Sequence, residues 1–297
     1  MKGALTLRRG AIITAVLCFA ALAATFQIYD HDVGYHLKTG EWIADHGRLP
    51  ATDPFSFTRA GADWPLQQGV SAWILWRVYD AGGVSGLIAM KAAVVALIFG
   101  VILWIAWREG GALTLAAAAT TLGVLAGRYR FYARPMLFSA LLLALLWACL
   151  SLYRRRGGAA PLLGAVAILA LWANLHAGWI QGMLLLGVFA AAATLTALLT
   201  RAGITAPRAP GPRQSLPALW AAWLGALGLS ILSLAVFHPS GERALLIPLT
   251  MVESPWFLAH VSEFRPLALG NFFAAWALIV LTAGAILLAF LRRRARA

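Results

Sequence analysis

Ser85-Gly-Leu-Ile-Ala-Met-Lys91-Ala-Ala-Val-Val-Ala-Leu-Ile-Phe-Gly-Val-Ile-Leu-Trp-Ile-Ala-Trp107 carries one charge in 23 residues. As a helix it is about 34 Å long, enough to cross a hydrocarbon core about 30 Å thick. It lacks the two-residue alternation of an outer-membrane barrel strand, and backbone groups in lipid have to be satisfied within their own segment, so helix is the open-ended solution. Working outward, comparable apolar runs lie at about 10–28, 111–127, 135–153, 160–175, 179–200, 216–237 and 270–291, with the runs at 111–127 and 160–175 short for a full crossing. The expected fold is therefore all-α: a polytopic membrane helix bundle of about eight transmembrane helices, forming a single transmembrane domain over 1–297. Composition agrees, since a chain 61% hydrophobic and 12% charged, with mean hydropathy +0.79, has too little polar surface for a soluble domain.

Charge placement sets the expected orientation. With Lys2, Arg8 and Arg9 in the cytoplasm, the clusters at Arg108, Arg154 to Arg156, Arg201, Arg208, Arg213, Arg292 to Arg294 and Arg296 fall there too, as the positive-inside rule asks. Glu109 is the one acid on that side, and the other acids gather outside. Both termini are expected in the cytoplasm, in a multi-pass protein of the bacterial inner membrane. Two further stretches, about 33–46 and 66–80, read as helices at the membrane surface, because an extra crossing at 66–80 would move Arg154 to Arg156 outside. The first run, with its basic start and Ala21 to Ala24, also fits a secretory signal; in either case the chain from about residue 29 begins outside.

A net charge of +13 would suggest nucleic acid for a soluble domain. Here no nucleic-acid partner is expected, because the charges sit in short loops between apolar runs, where anionic headgroups of the membrane lipid are the natural partner. Cys18 and Cys149 lie inside apolar runs, with neither metal-site spacing nor disulfide context. The segment 201–215, rich in Pro, Gly, Arg and Ala, reads as a cytoplasmic loop.

Polar chemistry concentrates in the first outer loop, about 29–84, which the aromatic and helix-punctuating residues predict to be ordered and partly helical. It holds Asp30, His31, Asp32, His36, Lys38, Glu41, Asp45, His46, Arg48, Asp53, Arg59 and Asp63. Asp32 is placed to cap a helix through Val33, Tyr35, Leu37, Trp42 and Ile43, its apolar residues turned to the bilayer. Thr52-Asp53-Pro54 reads as a turn. Later outer segments carry Arg128-Tyr-Arg130-Phe-Tyr-Ala-Arg134-Pro, Leu171-Trp-Ala-Asn174-Leu-His176-Ala-Gly-Trp, and Glu263 with Arg265 within the last outer loop, about 238–269.

The loop Asp30-His-Asp-Val-Gly-Tyr-His-Leu-Lys-Thr-Gly-Glu-Trp-Ile, followed by Asp-His-Gly-Arg-Leu-Pro-Ala-Thr-Asp53-Pro-Phe-Ser-Phe-Thr, resembles the first outer loop of C-type polytopic membrane glycosyltransferases. Among these are protein-mannosyltransferase-like and oligosaccharyltransferase-like bacterial members, and the segments around Arg128 and Asn174 resemble recurring segments of the same group. The resemblance implies a sugar donor carried on a polyprenyl phosphate. It also implies that an acid just after the first span, Asp32 or Asp30, is the catalytic base or a metal ligand, with Mn²⁺ or Mg²⁺ permitted but not demanded by the grouped acids.

Physically, such a transfer needs a carboxylate to accept the acceptor proton and cations to hold the phosphate leaving group. Asp30 and Asp32, with His36 one turn further on, are the catalytic candidates. Arg128, Arg130, Arg134 and the intramembrane Lys91 are the donor-phosphate candidates, since a guanidinium fork suits phosphate oxygens and an ionisable group in a membrane helix is costly to retain. Asn174, His176 and Glu263 are candidates for substrate contact. For each a plainer role stays open: helix capping for the acids, headgroup binding or pairing with loop acids for the arginines, and mutual satisfaction for Asn174 with His176. Two alternatives to an enzyme also remain, a transporter that binds lipid phosphate and a non-catalytic subunit; the short chain and Gln67-Gln68 leave room for a partner membrane subunit.

Overall fold

The structure, a computed structural model, describes residues 2–64, 66–204, 215–239, 241–246 and 278–282, with isolated positions at 253, 255, 259, 276 and 284. Among the described residues it is all-helical, with one isolated bridge, Thr52 to Asp63, and no strand. The helices are α1 (Lys2–Ala23), α2 (Asp32–His46), α3 (Gly69–Gly110), α4 (Leu113–Gly127), α5 (Pro135–Arg156), α6 (Ala159–Leu175), α7 (Trp179–Arg201) and α8 (Leu216–Phe237).

Five of them, counting α1 from Leu5, are long and apolar enough to cross a membrane: α1, α3, α5, α7 and α8. At 15 and 17 residues, α4 and α6 are only about 22 and 25 Å long, short of a full hydrocarbon core. The last expected run, about 270–291, lies outside the described residues apart from helical positions at 276, 278–282 and 284, and Glu263 and Arg265 lie outside them altogether.

The stretch expected as a separate helix at 66–80 forms the first arm of α3, set off from the long apolar run by a kink at Gly83. α3 is one element of 42 residues, broken only at Gly83, whose φ of 58° and ψ of −152° belong to a region glycine alone enters cheaply. A single residue absorbs the bend, so no loop separates the two arms.

The chain forms two compact units. One comprises Met1–Val33, Arg77–Leu137 and Pro255–Ala297; the other comprises Gly34–Trp76 and Phe138–Ser254. In the first, α1 packs on α4, with Val16, Leu103, Leu113, Ala116 and Ala117 buried together against Ile12, Ile13 and Trp107. Small residues on α4 let the two backbones come close, the usual device where lipid removes the hydrophobic drive between helices.

In the second unit α8 lies against both α6 and α7, around a core of Leu146, Leu150, Leu169, Trp172, Leu186, Ala226 and Leu234. Polar pins close its ends. The Tyr153 hydroxyl accepts from the Ser215 N–H at 2.8 Å, and Ser215 caps α8. His238, just past α8, contacts the Leu66 carbonyl through Nε2 at 2.6 Å, which requires Nε2 to carry the proton. The Gln67 amide donates to the Ala244 carbonyl.

α2 begins and ends where the sequence places it, but two of the residues expected to face the bilayer, Val33 and Ile43, are buried in the protein. Val33, His36, Thr39, Gly40 and Ile43 are buried, while Tyr35 is 40% exposed. The reason is a close approach. A Cβ on Gly40 would stand 2.2 Å from the Ala72 carbonyl oxygen and 2.5 Å from the Trp76 Cβ, so α2 seats its small and polar face directly on the first arm of α3.

Candidate functional site

The expected acids and one of the arginines converge in the first unit. After α1 ends at Ala23 the chain runs to Asp30, whose carboxylate accepts the Asp32 N–H at 3.1 Å while its carbonyl accepts the Val33 N–H at 3.3 Å. Asp30 thus supplies the cap that starts α2, a role the sequence suggested for Asp32.

Arg134 sits immediately before Pro135, the first residue of α5, with its own N–H on the Tyr132 carbonyl and its guanidinium over the Tyr132 ring. Its Nε and Nη2 donate to the two carboxylate oxygens of Asp30, and Nη2 also meets Asp32 Oδ2 at 3.1 Å. Burial divides the two acids sharply. The Asp30 side chain is 2% exposed, whereas that of Asp32 is 60% exposed. One carboxylate is sealed in a bidentate, charge-assisted pair, and the other is held against the same cation with its remaining face open.

Two further cations gather on the chain that leads from α1 to Asp30. Lys91, 1% exposed, donates from Nζ to the Phe26 carbonyl at 2.9 Å and lies 3.7 Å from the centre of the Phe26 ring. Arg128 donates from Nε to the Ala23 carbonyl at 3.3 Å, with its guanidinium carbon 5.7 Å from the same ring. Carbonyls left open at the end of α1 and the π-face of Phe26 favour positive charge here. Among the described residues neither cation meets a carboxylate within 4.0 Å. Arg130 is elsewhere: it is exposed, with Nη2 3.7 Å from the Met136 sulfur. Phe26, the hub of this cluster, was missed in the sequence, where an aromatic after a helix carries no distinguishing mark.

The remaining candidates belong to the second unit. His36 is 4% exposed, and among the described residues its Nδ1 has no hydrogen-bond partner. Burial first, and then the neighbouring His176, push its pKa down to about 4. His176 follows α6, and its Nδ1 receives the Gly178 N–H at 3.0 Å, so that nitrogen is the unprotonated one. The Ser139 hydroxyl, which accepts from Trp172 Nε1 at 2.7 Å, therefore donates its proton to His176 Nδ1 at 2.9 Å. Burial lowers the His176 pKa to about 4 as well, and both imidazoles are neutral near pH 7.

Asn174 and His176 do not satisfy each other. The Asn174 amide donates to the Ala170 carbonyl and to Ser233 Oγ on α8, both at 2.9 Å. Ser139 and Ser233 were not singled out in the sequence, because a serine in an apolar helix carries no positional signal until its partner is known.

The residues present do not fit a divalent cation at Asp30 and Asp32. Both Asp30 oxygens already accept from Arg134, and among the described residues no three His, Cys, Asp or Glu side chains converge. The chain matches no family model, no curated protein and no solved structure.

Proposed function

We propose that this chain is a membrane glycosyltransferase of the C-type superfamily. It transfers a sugar from a polyprenyl-phosphate-linked donor to a glycan, lipid or protein acceptor at the outer face of the bacterial inner membrane. The observation that carries this reading is the pair of acids on Arg134, one sealed and one open.

Asp32 is the base: its exposed carboxylate takes the proton of the acceptor hydroxyl or amide as the new bond to the sugar C1 forms and the C1–O bond to the donor phosphate breaks. Asp30 is the positioning residue, holding Arg134 so that Asp32 stays oriented. The leaving phosphate falls to Lys91 and Arg128, the cations without a carboxylate, rather than to Arg134, which is committed to the two acids. No metal is assigned a step.

One observation favours a second reading, a non-catalytic subunit. An arginine shared by two aspartates is also a stable clasp for the start of α2, with no chemistry required. The two separate in one experiment: reconstitute the protein in lipid with radiolabelled polyprenyl-phosphate sugars and compare wild type with Asp32→Asn. Turnover by wild type and its loss in Asp32→Asn, with donor binding kept, supports the enzyme. Undiminished turnover in the variant removes Asp32 as the base, and donor retained by wild type without turnover supports the subunit.

A further inference from the structure

At the C-terminal end of α2, Ile43, Ala44, Gly47, Leu49, Val70 and Trp73 line an open groove of about 290 Å³. Its walls are apolar and its floor is rigid. Leu49 is pressed against the start of α3 so closely that a Cβ on Gly69 would meet its Cδ2 at 2.5 Å. Trp73, 42% exposed, stands along one side.

Gly47, at φ 64°, ends α2 in the left-handed conformation, and its N–H closes on the Ile43 carbonyl at 2.9 Å. That turn places Arg48, an exposed side chain, between two lining residues. No carboxylate lies within 4.0 Å of Arg48 among the described residues. Of the nearby acids of α2, Glu41 pairs with Lys38 at 2.5 Å, and Asp45 adds to the field that, after that contact, raises the Lys38 pKa. His46 is turned onto Trp42, ring on ring at 4.0 Å.

An apolar trough flanked in sequence by an exposed arginine has the polarity of a single lipid: a chain to bury and a phosphate to bind. We propose that this groove holds one acyl chain of a membrane glycerophospholipid whose phosphate rests on Arg48. Each buried methylene adds about 0.8 kcal/mol and the guanidinium fork suits the phosphate oxygens, so the site retains its lipid where the bare apolar faces of the helices do not. This goes beyond the transferase reading and does not depend on it.

The test is lipid retention. The full chain is reconstituted in nanodiscs of phosphatidylethanolamine and phosphatidylglycerol, extracted into mild detergent, and weighed by native mass spectrometry. One phospholipid is expected to stay on wild type and on Lys38→Ala. Ala44→Phe, which fills the groove, and Arg48→Ala are each expected to cut the bound fraction at least fivefold with melting temperature unchanged. Arg48→Lys, keeping the charge, is expected to retain more lipid than Arg48→Ala, so the charge is read out even where Ala44→Phe folds poorly. Wild type free of phospholipid, equal retention by Arg48→Ala and wild type, or equal loss in Arg48→Lys and Arg48→Ala overturns the proposal. So does displacement of the phospholipid by equimolar polyprenyl monophosphate, which would give the groove to a donor chain.

Discussion

Arg134 and Asp30, 104 positions apart in the chain, are joined by two N–H···O contacts that use both oxygens of a carboxylate only 2% exposed. The pair couples the start of α5 to the start of α2, because the same carboxylate accepts the Asp32 N–H. Whatever chemistry Asp32 performs, its position is set by this one ion pair and by its own contact with Arg134.

Removing one member strands the other. Arg134→Ala leaves a buried carboxylate without a counter-ion, and a loss of about 3–5 kcal/mol is expected. Arg134→Lys is expected to recover only part, since an ammonium cannot match both oxygens. The Asp30→Ala, Arg134→Ala double variant is expected to be less destabilised than the two single losses added together, by more than about 1 kcal/mol. Unfolding in mixed detergent measures all four; strict additivity would mean that the pair contributes nothing as a pair.

Gly40 and Gly34 lie on the same helix and are expected to respond oppositely to alanine. At Gly40 the added Cβ meets backbone oxygen at 2.2 Å, which no side-chain motion relieves, so Gly40→Ala is expected to prevent assembly or to lower the melting temperature by 10 °C or more. At Gly34 nothing lies within 4 Å, and alanine's helix propensity favours the variant by up to about 1 kcal/mol. Equal tolerance at the two positions would contradict the packing of α2 on α3.

The histidine pair makes stability depend on pH. His36 and His176 titrate near 4 when folded and near 6.5 when unfolded. Between those values the unfolded chain binds more protons, so the stability these neutral imidazoles contribute is complete above about pH 6.5 and is lost as pH falls toward 4. Thermal melts of the lipid-embedded protein from pH 7.5 to 4.5 are expected to fall more steeply for wild type than for His36→Gln. Parallel curves would show that His36 is not held neutral by burial.

Much of this was legible in the sequence, and the rest fails for physical reasons. Run length and apolarity located α1 and α4 to α8, and Asp53 announced its turn: the Ser56 hydroxyl donates to it, as do the Phe55 and Ser56 N–H groups at 2.8 and 3.0 Å, which lowers its pKa. Charge and tryptophan content separated 66–80 from the following run, and the backbone divides the two at Gly83, where helical geometry is lost. Of the α2 residues expected at the bilayer, Val33 and Ile43 are buried in the protein instead, on the face that close approach of Gly40 to Ala72 decides. In the site, the residue types pointed to Asp30, Asp32 and Arg134, but which acid is sealed and which is open follows from side-chain placement alone.

Lys91 offers the sharpest separation of structure from function. Its ammonium is 1% exposed inside an otherwise apolar helix, held by one carbonyl and one aromatic face. Replacing such a buried cation by a hydrophobic residue of similar length is commonly neutral for folding, because the desolvation cost disappears with the interactions. Lys91→Met is therefore expected to keep its stability within about 1 kcal/mol of wild type. Under the proposed mechanism the same variant is expected to lose donor turnover at least tenfold, with kcat affected more than KM, because the ammonium acts on charge that grows as the phosphate leaves. Lost stability with turnover intact would make Lys91 a pin between α3 and the end of α1, and would remove it from the phosphate site.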